Sequence, residues 1–271
     1  MSLLEPALRA GHAPAASGRD ARRASVGALV AGGGGALGSA VLEQLLAIRR
    51  FAPVWVLVTR RLEVAMQGLE TVVVGAPDDA RTGHPAAPIA EAAVIVFDRA
   101  RHANGRELAF LRPAPHELAG LARWLHARGV RQLVVVLPHA PAHLPEALKA
   151  GLANLDEQAV AALGFEHLVF VRSAQAPADA RAAQWLQRVA DGVLAQLRLM
   201  VATPNQPVRA RKVAHFVVEL LARLAQSAPG TRVAPPELVW QAAQLRDSGA
   251  LVQAWLDGQA LPPLNAPTAR M

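Results

Sequence analysis

The 271-residue chain contains no cysteine and no tyrosine, and aromatic residues make up only 4% of it. Without cysteine there is no disulfide framework and no thiolate ligand or nucleophile, which fits a reducing, cytoplasmic compartment. Without tyrosine no phenol can serve as an acid, a base or a stacking platform. Charged residues are 18% of the chain, too few for a disordered polyelectrolyte. Long apolar runs are missing too. Ala92–Phe97 and Leu133–Leu137 are strand-length, far short of the roughly 20 residues that span a bilayer. No membrane association is expected. The net charge is +7, but no Lys/Arg run alternates with aromatics as a single-strand groove requires. The excess reads as a basic solvated surface, and nucleic acid is not an expected partner.

Apolar residues are plentiful, at 52%, enough for a sizeable core. Residues 1–25 are mostly Ala, Arg, Gly and Ser without apolar periodicity and read as a flexible basic tail. They lack the continuous apolar stretch of a secretory leader, which leaves only a basic transit peptide open. From Val26 onward, short apolar runs alternate with helical patterns. Strands are expected at Val26–Ala31, Val54–Thr59, Thr71–Val74, Ala93–Phe97, Gln132–Leu137 and His167–Val171. They are continuous and Val-rich, as strands covered on both faces are. Helices are expected at Ser39–Ile48, His116–Arg128 and roughly Leu144–Leu163, the last two followed by Gly129 and Gly164. Long helices at Ala178–Arg198 and Val208–Ala225 follow, then a short strand or turn at Arg232–Ala234 and a helix opened by Pro235–Pro236. The expected class is α/β, a doubly wound, mostly parallel Rossmann-like sheet with extra C-terminal helices. Residues 26–258 read as one such domain, with its C-terminal helices over the sheet edge, and residues 259–271 as a tail.

Gly32-Gly33-Gly34-Gly35-Ala36-Leu37-Gly38 follows the first strand and opens the first helix. Glycines there permit a tight turn and close approach of backbone to phosphate. The helix behind them aims free N–H groups and a positive dipole end at the anion. A glycine cluster alone is a weak signal, but the strand–turn–helix context strengthens it. The second strand ends in Thr59-Arg60-Arg61, where an NAD-selective site carries an acid for the ribose 2′-hydroxyl. Two guanidiniums suit a 2′-phosphate instead, so NADP(H) is favoured over NAD(H). Asp78 and Asp79 after the third strand read equally as adenosine contacts or as a solvated turn. His139 and His143 are four apart, but Pro138, Pro141 and Pro145 forbid a regular helix, and no zinc site is expected. Trp124, Trp185 and Trp240 read as packing residues. Arg209, Arg211 and Lys212 place positive charge at a helix N-terminus, which the dipole disfavours, and so point to an acidic partner.

On these residues the chain resembles the atypical short-chain dehydrogenase/reductases, and within them the Tat-interacting, oxidoreductase-like subgroup. The resemblance runs through Ala28–Leu46, Phe51–Val74, Ala92–Ala109, His116–Leu137, Ala162–Val171 and Pro207–Leu220. It implies a Ser at the end of the fifth strand and a Tyr-x-x-x-Lys on the next helix. The positions matching the serine pair hold Leu137 and Pro138. Lys149 falls at the Tyr position and Ala153 at the Lys position. Shifting the register to make Lys149 the family's Lys puts Pro145 where Tyr should be. With no tyrosine in the chain, the usual proton donor is missing in every register. Lys149 or His139 is the substitute acid to consider; Ser173 has no His/Asp arrangement around it. Three functions follow: an NADP(H)-binding, reductase-like protein without standard reductase chemistry, acting as a cofactor sensor or protein-interaction module; an active oxidoreductase with a non-standard acid; or a structural interaction protein that binds no nucleotide.

Overall fold

The structure is a computed structural model that describes residues 26–60, 67–74, 89–98, 107–139, 155–174 and 208–260. Seven strands form one sheet: β1 (Val26–Ala31), β2 (Phe51–Val58), β3 (Leu69–Val73), β4 (Ala92–Val96), β5 (Gln132–His139), β6 (His167–Ala174) and β7 (Gly230–Ala234). Their order is β3-β2-β1-β4-β5-β6-β7 and every pairing is parallel. The chain thus winds outward from β1 in one direction, returns, and winds out from β4 in the other. This is the doubly wound Rossmann-like arrangement, with its switch point between β1 and β4.

Alternation along the buried strands divides the core into two layers. Ala28, Val30, Val94, Val134 and Val169 face one side, under α1 (Ala36–Ile48) and α4 (Ala210–Leu224). Leu29, Ile95, Leu133, Val135 and Phe170 face the other, under α2 (Leu118–Ala127) and α3 (Leu155–Ala161). The two further helices, α5 (Pro236–Gln244) and α6 (Gly249–Leu256), join the first layer. The C-terminal segment does more than lie over a sheet edge: β7 extends the sheet, and α4 packs along α1.

Several boundaries differ from expectation for local reasons. α1 starts at Ala36, three residues before Ser39. The Ser39 hydroxyl does not cap a helix start but donates back to the Gly35 carbonyl at 2.7 Å, the alternative use of a helical serine. β2 starts at Phe51 despite Pro53. The pairing with β1 shifts there, Phe51 standing opposite Val26 and Val54 opposite Ala28, and an irregularity is where a strand tolerates proline. β5 and β6 run past Leu137 and Val171 and stay in register to His139 and Ala174. His139 therefore lies within β5, and Ser173 within β6, rather than after them. Residues 144–154 of the expected third helix, and the helix expected at 178–198, lie outside the described residues.

Candidate functional site

In open α/β sheets ligands bind beyond the carboxyl ends of the strands at the switch point. Here that place is built by the turn after β1, the N-terminus of α1 and the ends of β2 and β4. Gly32 has φ +97°, a conformation that suits glycine, and a Cβ on it would overlap the Val96 carbonyl oxygen of β4. A Cβ on Gly38 would overlap the Gly32 carbonyl oxygen, and one on Gly33 would come within 2.8 Å of Leu42 Cδ1. Gly32 and Gly38 are therefore demanded by the fold's own close packing of strand, turn and helix, whereas a Cβ on Gly33 would meet only side-chain ends. Gly34 and Gly35 are buried, and Gly35 is the N-cap in extended conformation, with no side chain to offer the helix.

The first turn of α1 contains no acidic residue. Its Leu37 N–H donates instead to the carboxylate of Asp98 at 2.5 Å, across 61 residues of chain. Asp98 stands two residues beyond the end of β4, half-buried. The sequence reading missed this residue, which follows an apolar strand and precedes Arg99 and Arg101 in what reads as a solvated polar turn. The available signal was a carboxylate at the carboxyl end of the strand across the switch point.

On the β2 side, a 107–111 segment lies against the strand end. The Thr59 N–H donates to the Ala109 carbonyl at 2.7 Å, and the Leu111 N–H to that of Leu57 at 3.0 Å. Arg60 follows Thr59 and is exposed at the lip of the crevice. Arg61, Asp78, Asp79, His143, Lys149 and Trp185 lie outside the described residues.

The ends of β5 and β6 are built differently. Leu137 turns into the second core layer. Opposite it in register, Arg172 is 2% exposed and bonds Glu157 of α3 at 2.7 Å, itself 2% exposed. The charges at this end are committed to holding α3 on the sheet. His139 is the last paired residue of β5 but one strand from the turn, β4 standing between β5 and β1.

Elsewhere, Trp124 packs in the second layer with the Arg128 guanidinium over its ring at 4.8 Å, and Trp240 packs against the first. Two of the cations opening α4 find partners within the chain: Arg211 meets Glu43 of α1 at 3.4 Å, and Lys212 donates to the Leu245 carbonyl at 3.2 Å. At the opposite end of the sheet, burial lowers the pKa of His167 below its ordinary value, with Glu166 opposing the shift and Arg232 adding to it. Among the described residues no helix is long and apolar enough to cross a membrane, and no three His, Asp or Glu side chains cluster as metal ligands.

No protein-family model matches the chain, and no curated protein matches it by sequence. Among solved structures it is similar to the Bordetella bronchiseptica enzyme WbmH, determined in complex with NAD+, at 15% identity over 88% of this chain and 84% of that one, with a TM-score of 0.43. It is similar to WbmG of the same organism, determined with NAD, at 14% identity over 92% and 84%, with a TM-score of 0.42. A third is Gre2 from Candida albicans, at 10% identity over 88% and 95%, with a TM-score of 0.41. The fold assignment rests on this chain's own strand order.

The residues at the switch point fit a dinucleotide pyrophosphate in backbone shape and in helix dipole. One donor of that cradle, the Leu37 N–H, is held by Asp98.

Proposed function

We propose that the chain binds a nicotinamide dinucleotide at the switch point, NADP(H) in preference to NAD(H), and does so without the standard reductase chemistry, as a cofactor sensor or interaction module. The observation that carries this reading is the Gly32–Gly38 turn, which ends in the N-terminus of α1 between the ends of β1 and β4. Ala36 and Leu37 supply the backbone N–H groups for the pyrophosphate. Arg60 stands at the lip of β2, where a 2′-phosphate would lie, and Arg61 is assigned to the same phosphate. Asp78 is assigned to the adenosine.

Bound there, the cofactor would supply hydride chemistry, and a carbonyl or alcohol substrate would need a proton donor from the protein. The chain contains no tyrosine, and the position that the family resemblance gives to the substrate-orienting hydroxyl is Leu137, packed against the core. The position of His139 at the carboxyl end of β5 supports one other reading, an active oxidoreductase with His139 or Lys149 as acid. Thermal-shift and calorimetric titration with NADPH and NADH test the first reading. Saturable stabilisation with NADPH favoured is expected; no stabilisation by either nucleotide overturns it and leaves a structural interaction protein. Hydride transfer in a carbonyl screen, abolished by His139→Ala or Lys149→Ala, would establish the second.

A further inference from the structure

We infer that Asp98 sets the threshold for phosphate binding at this site: its carboxylate holds the N-terminus of α1 until a dinucleotide phosphate displaces it. The inference rests on the dinucleotide reading above and concerns how that site is regulated.

An α-helix leaves its first N–H groups without partners inside the helix. Local capping normally satisfies them, and here every local source is missing. The N-cap is Gly35, which has no side chain, and the first turn holds no acid. The one hydroxyl nearby, that of Ser39, donates to the Gly35 carbonyl and cannot serve the helix start in that role. Asp98 fills the gap from another strand, its charge complementing the dipole at its strongest point.

Topology fixes this contact. β4 lies beside β1, with Ile95 paired to Ala31, and the Val96 carbonyl presses against Gly32 so closely that a Cβ there would overlap it. Asp98 is thereby delivered to the crevice. A phosphate seeking the Leu37 N–H meets a donor already engaged by an anion. Two anions cannot share that N–H, and a carboxylate left within about 4 Å of a phosphate repels it. Binding must therefore move the Asp98 side chain away, and the loss of its hydrogen bond is subtracted from the affinity. Removing the negative charge should strengthen binding.

The test uses the full chain and isothermal titration with NADPH and, as a second probe, inorganic pyrophosphate, on the wild type, Asp98→Asn and Asp98→Ala. Asparagine keeps the shape and an acceptor oxygen without the charge, so its ligand-free denaturation midpoint should stay near that of the wild type. Alanine removes the cap and should lower that midpoint. The expected result is NADPH binding about tenfold tighter in Asp98→Asn, the scale of one close charge repulsion in partly screened surroundings. Asp98→Ala should bind more tightly too, and pyrophosphate should follow the same order. A wild type that binds undetectably beside variants that bind would support the inference most strongly. If the wild type binds NADPH and both variants bind it equally or more weakly, the threshold role is overturned and the dinucleotide reading stands. If NADPH binds none of the three, the dinucleotide reading falls and this inference falls with it.

Discussion

The carboxyl edge of the sheet ends in two different ways. At β1, β2 and β4 it presents backbone: a glycine turn, a helix start and a strand end close enough to touch. At β5 and β6 the last described side chains are already engaged, with Leu137 packed against the core and Arg172 paired to Glu157. The first end offers donors that a ligand can take over; the second offers packing. On the proposed reading, the anion crevice is thus separate from the end of β5, where the family resemblance implies an acid and a hydroxyl. Geometry for binding and groups for chemistry are separable properties of one fold.

The largest effect should come from breaking the second end. Glu157→Ala removes the carboxylate paired to the buried Arg172 guanidinium and should lower the unfolding free energy by about 3–5 kcal/mol, measured by urea denaturation. Replacing both partners with Leu and Met should restore most of it. If Glu157→Ala instead left stability intact and reduced NADPH binding, the contrast between the two ends would collapse. Gly38→Ala comes next. Its Cβ meets backbone that cannot swing aside, so a loss of about 1–3 kcal/mol is expected, together with loss of NADPH binding through the displaced turn. Arg60→Ala should weaken NADPH about tenfold, the worth of one charge-assisted hydrogen bond, and leave NADH unchanged. Equal loss for both nucleotides would refute its assignment to the 2′-phosphate.

Most of the sheet is legible in the sequence because buried parallel strands announce themselves as unbroken Val-rich runs. β1 is read to its last residue for this reason, and β4 to within one at each end. The start of β2 is hidden because Pro53 reads as a breaker, and only the shifted pairing beside it explains its presence. The glycine turn is legible as a turn, yet Gly32 and Gly38 answer to Val96 and Gly32 of the chain itself. Asp98 could not be found from local pattern. Its role depends on β4 lying next to β1, which is a property of strand order and not of neighbouring residues. The same holds for Arg172 and Glu157, whose pairing needs α3 folded onto β6.

The smallest effect lies at the far end of the sheet. Burial holds the His167 imidazole below its ordinary pKa of 6.5, so the folded protein favours the neutral ring. The unfolded chain takes up the proton first as pH falls below that value. The contribution of this group is therefore complete above pH 6.5 and is lost as the pH falls through the lower folded-state value. His167→Gln should flatten that part of the stability–pH curve, followed by chemical denaturation at several pH values. A wild-type curve that rises on acidification across this window would contradict it. Nucleotide affinity should not change, since β6 begins at His167 and the crevice lies at the other end of its strands.

The packing of α4 along α1 bears on how the protein is made. Glu43 on α1 and Arg211 on α4 are 168 residues apart. At a ribosomal rate of about 5–20 residues per second, the apolar flank of α1 waits on the order of ten seconds for its partner to emerge. During nascent-chain growth the glycine turn therefore exists before the helix behind it is fully covered. The start of α1, though encoded early in the chain, thus completes its packing only after α4 has been made.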